Sequence, residues 1–367
     1  MKLALNSPRS RALRLLAVPA LALLLPTLAL LLPTLALLLP TLALLLTLPA
    51  RADALATTCQ LDDALSEAAA ALLLEGAHVD AASLAHAARA AGSDAPVVHA
   101  LHVRVGEDAR VDVWLTALNA RADAPLACGQ ARDATHVLWL ATARGGALAA
   151  LADDAQRVEL RLAPTFHAPR LVVLDAAGAV HDVAVEAGAE WVALSLDLPR
   201  PLLVQLVATG PAGPRPVAER SVGRGARPAD VALALPSAAS LSERLSAARG
   251  SVSVASLRSH RLLARAATEH ARAMCASGRV AHQLAPHASP DERFAALGIR
   301  ARFVGEAVGR AADLDAAWAA LLASPSHRAA LLDPRFTDAG TGSATDDGGR
   351  VCVAVALASW PRFVPRR

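Results

Sequence analysis

Two imidazoles and one carboxylate, His282, Glu306 and His327, fall within the final third of this 367-residue chain. Three kinds of chemistry suit such a set. Two neutral imidazoles and a carboxylate can hold a divalent metal such as zinc with one position left open. A carboxylate can instead orient one imidazole so that it takes a proton from water. Or the three can form a polar network that shapes a groove, each buried group satisfying another. No serine or cysteine nucleophile motif accompanies them, and the residues alone leave these alternatives open.

The elements that must position these groups are legible nearby. Leu241 to Arg249 is a short helix. Leu257 to Ala276 is a longer one, with Leu263, Ala267, His270, Ala271 and Met274 on one stripe and Gly278 to stop it. His270 therefore reads as structural, packed beneath a cleft. Ser289-Pro290-Asp291-Glu292 carries an N-cap, a proline at the first helical position and a capping box. Asp313 caps a helix through Leu314, Trp318, Leu321 and Leu322. Ser324-Pro325 restarts a helix with His327 in its first turn. Val351 to Ala358 is an apolar strand expected in the middle of a sheet.

In order and spacing, His282, Gly305-Glu306, Ser324-Pro325-Ser326-His327-Arg328 and Asp338-Ala339-Gly340-Thr341-Gly342 resemble the CAP superfamily in its short bacterial form. That superfamily includes cysteine-rich secretory proteins, antigen 5 and pathogenesis-related proteins. The resemblance covers roughly residues 240–360. Ala307 stands where an asparagine is usual, and Leu321 where a second acid often lies. The resemblance implies an α+β chain ending in a three-layer α-β-α sandwich with a groove over His282, Glu306 and His327. It implies a binding module outside the cytoplasm, with a lipid, a cell-wall fragment or a protein as ligand. A metal-assisted hydrolase centred on the same three residues is the alternative.

Upstream the chain divides further. Residues 1–52 begin with Lys2, Arg9, Arg11 and Arg14 and continue with an apolar stretch in which Leu-Pro-Thr-Leu-Ala-Leu-Leu repeats. A basic start, an apolar core and small-x-small sites at Ala50-Arg51-Ala52 and Ala54-Leu55-Ala56 are an export signature. The run is also long enough to span a bilayer, so it is either a cleaved signal or a retained anchor. Any membrane contact is expected only through this leader. Residues 53–207 read as a helix-plus-antiparallel-strand domain. Strands are expected over Val97–Val105, Val111–Leu115, Val137–Ala141 and, at the regular spacing of a sandwich, from Val158 to Val207. Its histidines, among them His99, His102 and His136, are spread over different elements and read as surface or half-buried groups rather than ligands. Residues 208–239, rich in Gly, Pro and Arg, read as a linker before the domain at 240–360.

Four cysteines in an exported chain suggest two disulfides. The domain split pairs Cys59 with Cys128 and Cys275 with Cys352. Charge is uneven. Residues 51–239 carry 15 Arg against 22 Asp and Glu, whereas residues 240–367 carry 17 Arg against 11. These arginines are dispersed, with few aromatics among them, which excludes a nucleic-acid footprint.

Overall fold

The computed structural model describes residues 59–75, 81–150, 157–186, 188–194, 197–223, 239–284 and 289–360. The leader and residues 224–238 of the expected linker lie outside them. Among the described residues no helix is long and apolar enough to cross a membrane.

The first unit contains β1 (Gln60–Leu61), α1 (Asp63–Glu75), α2 (Ala81–Ala90), β2 (His99–Arg104), α3 (Asp108–Asn119), β3 (Leu126–Arg132) and β4 (His136–Ala143). Its sheet runs β1-β3-β4-β2. Helices α1 and α2 bury Leu65, Leu72, Leu84 and Ala88 against Leu138 and Leu140 of that sheet. The strand expected at Val111–Leu115 is instead part of α3. Val113, between them, is exposed, while Val111 and Leu115 are buried. A four-residue offset satisfies a helical face as well as a strand face, and Asp108 in the first turn favours the helix.

A sandwich follows. One sheet joins β5 (Gly146–Ala150), β6 (Arg157–Leu162) and β9 (Trp191–Ala193). The other joins β7 (His167–Leu174), β8 (Val180–Ala184), β10 (Leu202–Gly210) and β11 (Gly213–Val222) in the order β11-β10-β7-β8. Their inner faces meet in one core, with Leu148, Val158 and Leu160 against Leu171, Val173, Val204 and Leu206. Residues 208–222, expected as linker, are the turn and return strand of the β10–β11 hairpin. Gly210 and Gly213 bound a tight turn, with Gly213 at φ 92°. Turn residues between two apolar runs make a hairpin as readily as a tether.

The last unit is a three-layer sandwich. Helix α4 (Leu241–Ser251) is followed by β12 (Arg258–Ser259), α5 (Arg261–Ser277), α6 (Pro290–Ala296), β13 (Phe303–Ala311), α7 (Leu314–Ala323), α8 (Pro325–Leu332), β14 (Asp338–Thr345) and β15 (Val351–Ser359). The sheet order is β12-β14-β15-β13, so β15 is internal as expected. Alternation along β15 builds both layers. Cys352, Ala354, Ala356 and Ala358 face α5 and α6. Val353, Val355 and Leu357 face α4 and α7. The small residues let α5 sit close to the sheet. Capping follows the sequence reading: a reciprocal box at Ser289 and Glu292, Asp313 accepting from the Ala316 amide, and Gly278 left-handed at φ 65°. The disulfides are Cys59–Cys128 and Cys275–Cys352. The second bolts α5 to the central strand.

Helix α5 comes so close to β14 that Gly340 leaves no space for a side chain: a Cβ there would collide with the backbone of Leu263 and Ala264. Gly340→Ala is expected to destabilise the fold by about 3 kcal/mol or more, because overpacking must push backbone from backbone. Urea unfolding of the full chain measures this, and an unchanged midpoint would refute the close approach.

Candidate functional site

Strand β13 presents Glu306 on the side of the sheet covered by α5 and α6, since Val304 and Val308, two residues to either side, belong to that layer's core. Gly305 precedes it for a steric reason. A Cβ there would lie 2.6 Å from the Phe336 ring. The Glu306 side chain is only 2% exposed. A buried carboxylate must be compensated, and three side chains converge on it.

His282 lies in the segment after the Gly278 cap. Its Nδ1 is 2.9 Å from Glu306 Oε2. A carboxylate can only accept, so Nδ1 carries a proton, and in the neutral ring it is Nε2 that keeps the lone pair. Arg293, on α6, donates through one nitrogen to Glu306 Oε1 and through the other to the His282 carbonyl at 2.7 Å. The capping box at Ser289 starts α6 so that Arg293 occupies its second half and reaches back to β13. His270, on α5, has a fully buried ring 3.7 Å from Glu306 Oε2. Its Nε2 donates to the Ala281 carbonyl at 2.8 Å, which holds the segment carrying His282 against the helix. The full burial of the ring fits a structural role for His270.

Burial acts to raise the Glu306 carboxyl. The His282 hydrogen bond and the charge of the Arg293 guanidinium outweigh it and hold the group below the usual carboxylate range. Burial lowers His270 and outweighs the opposing pull of the nearby carboxylate.

His327 comes from the other layer of the sandwich. It sits on α8, which joins α4 and α7 in the opposite layer through Leu331. Burial, with a smaller contribution from the charge of His282, pushes its imidazole down to about 3. Around Glu306 the structure brings together His270, His282 and Arg293, and the third residue of the expected triad, His327, lies on α8 within electrostatic reach of His282.

The proposed metal set does not fit. Both oxygens of Glu306 are engaged, and a guanidinium lies where a cation would compete for them. Among the described residues no three His, Cys, Asp or Glu side chains are placed to share an ion. Arg293 was overlooked because nothing in Pro290–Ala296 marks one arginine among many. The signal available was its position in a well-capped helix beside a buried acid.

The β-sandwich completes the surroundings. At the β10–β11 turn the Ala212 carbonyl accepts from the Gln283 amide at 3.1 Å, and Ala212 joins the core of the α5–α6 layer. A Cβ on Gly213 would lie 3.1 Å from that of His282. At α8 the Ser326 amide donates to Gln205 Oε1 of β10 at 3.0 Å. Two strand elements of the preceding unit thus abut the two segments that carry His282 and His327, and His282 is left 14% exposed.

The model of the cysteine-rich secretory protein (CAP) family matches residues 243–357. No curated protein sequence matches the chain significantly. Among solved structures, an outer surface protein from Borrelia burgdorferi is similar at 19% identity over 33% of this chain and 90% of that one, with a TM-score of 0.31. An extracellular protein containing an SCP domain from Bacillus anthracis is similar at 13% identity over 45% of this chain and 66% of that one, TM-score 0.29. A cysteine-rich secretory protein from Staphylococcus aureus is similar at 11% identity over 56% of this chain and 76% of that one, TM-score 0.28.

The depressed His327 imidazole has a consequence for stability. In the fold it remains neutral down to about pH 3, whereas in the unfolded chain it takes a proton near pH 6.5. Between these values the unfolded state binds more protons. Stability therefore falls as pH drops through that window, by about 1 kcal/mol per pH unit. The urea midpoint of His327→Gln should depend less steeply on pH between 6.5 and 4 than that of the unaltered chain. Equal slopes would mean that the imidazole is not held neutral.

Proposed function

Because the C-terminal domain belongs to the CAP superfamily, we propose that the chain is an exported, non-enzymatic binding module whose ligand is a lipid, a cell-wall fragment or a protein. The observation that carries this reading is the full engagement of Glu306. Its two oxygens are committed to His282 and Arg293, so it holds a groove wall in place rather than exchanging protons. His327 is neutral at physiological pH and cannot act as a cation or an acid there. Export is supported by the two disulfides, which persist in oxidising compartments, and by the basic-then-apolar leader. Secretion or retention in the cell envelope follows, with the membrane met only through that leader.

One feature favours a second reading, hydrolysis. Glu306 orients His282 in the tautomer that leaves Nε2 unprotonated, and a base on water needs that lone pair. The compact cluster lacks a partner nucleophile, and the fixed charge of Arg293 reduces the basicity that Glu306 can lend to the ring.

The two readings separate in one experiment. Purified chain is tested for binding to phospholipid vesicles, peptidoglycan fragments and envelope extract, and in parallel for turnover of ester and peptide libraries. His282→Ala is expected to weaken binding to one ligand class at least tenfold, with circular dichroism unchanged and no turnover by either protein. Turnover by the unaltered chain that disappears in His282→Ala would replace the binding reading with the hydrolytic one. Binding unaffected by His282→Ala would remove the cleft from the function.

A further inference from the structure

Outside the cleft, one pair of side chains has the makings of a ligand set. His102 on β2 and His136 on β4 lie on neighbouring antiparallel strands. Their register pairs His102 with Leu138 and Arg104 with His136, so the two histidines are diagonal neighbours on the same sheet face. Strand β2 is at the edge of its sheet. His102 is exposed and His136 half-buried. Their ring centroids are 4.9 Å apart, with the planes inclined at 45°. Two imidazoles holding one ion at about 2.0–2.1 Å each, in a roughly tetrahedral arrangement, have centroids about 5 Å apart. The observed spacing meets that condition without rearrangement of the strands.

A second observation concerns the tautomer. The Thr135 hydroxyl lies 3.0 Å from Asp133 Oδ1 and 2.8 Å from His136 Nδ1. A carboxylate has no proton to give, so the single hydroxyl proton points to Asp133. The hydroxyl oxygen must then accept from His136, which places the ring proton on Nδ1. His136 Nε2 is left with its lone pair outward. A carboxylate acting through a second group to fix the imidazole tautomer is the arrangement that supports metal-binding histidines. Asp133 also accepts from the amides of Thr135 and His136 at 2.6 and 2.7 Å, so the turn that supplies this relay is itself held rigidly. Arg104 lies opposite His136, and Glu107 accepts from its amide at 2.9 Å while pairing with the Arg110 guanidinium at 2.8 Å.

We propose that His102 and His136 form a binding site for a divalent late-transition-metal ion, with His136 oriented by the Asp133–Thr135 relay. Zinc, nickel and copper suit imidazole ligands. Two protein ligands leave the remaining coordination positions to water or to an oxygen ligand from outside the chain. His99, three residues before His102, belongs to the other face of β2 and takes no part. The site is independent of the His282 cluster, so either can fail without the other.

The experiment is a calorimetric titration of the metal-stripped full chain with Zn²⁺. One equivalent should bind. His102→Ala and His136→Ala should each lower the affinity at least tenfold. Thr135→Val, which removes the relay and keeps the side-chain volume, should lower it about tenfold. His282→Ala and His327→Ala should leave it unchanged. Zn²⁺ should raise the unfolding temperature of the unaltered chain and not that of His102→Ala, a variant at an exposed position whose fold circular dichroism can verify. Zinc binding that survives both His102→Ala and His136→Ala overturns the proposal, as does the absence of any Zn²⁺ binding by the unaltered chain.

Discussion

A carboxylate buried beneath helices on a sheet's edge strand makes demands on everything around it. Glu306 is almost wholly removed from water, and an isolated charge in that position would cost far more than a domain's net stability. The structure answers with a guanidinium, an imidazole N–H and a second imidazole close by. Each comes from a different segment: α6, the segment after α5, and α5 itself. Satisfying one charge therefore fixes the mutual placement of four pieces of chain. Arg293 does so twice, since the same side chain also holds the His282 carbonyl. A buried pair of this kind adds little net stability over an apolar alternative. What it does here is define where His282 points.

That arrangement needs α5 close to the sheet, and small residues allow it. Ala354, Ala356 and Ala358 line the face of β15 beneath α5, and the other face carries Val353, Val355 and Leu357. Gly340 on the neighbouring strand removes the last obstacle. Larger residues at these positions would lift the helix, and His270 would no longer reach both the Ala281 carbonyl and the neighbourhood of Glu306. The β-sandwich adds a further constraint. Its β10–β11 turn sits on the segment carrying His282, and its β10 strand holds the start of α8 through Gln205. The surroundings of the cleft are thus shared between elements that the sequence reading assigned to separate domains joined by a linker.

Much of the last third was legible before any coordinates. Capping residues, the helical stripe of Leu263, Ala267, Ala271 and Met274, and the apolar strand at 351–358 are local signals for local structure, and all produced the expected elements. The cysteine pairing followed from how the chain divides. Two readings failed for a shared reason. Val111 and Leu115 suit a strand or a helix until their neighbours are known, and the Gly-Pro-rich stretch near 210 suits a tether or a hairpin until β10 finds β11. A pattern with two local solutions is settled by what packs against it.

The site divides in the same way. The order and spacing of the motifs carried a resemblance to the CAP superfamily, and that resemblance implied that His282 and Glu306 belong together and that the closing unit is a layered α-β-α sandwich. Only the tertiary structure decided that Arg293 and His270 join His282 around Glu306, and that His102 lies beside His136 across two strands. Both outcomes depend on distances between segments far apart in the chain. Those distances come from strand register and helix docking, which no stretch of sequence encodes by itself.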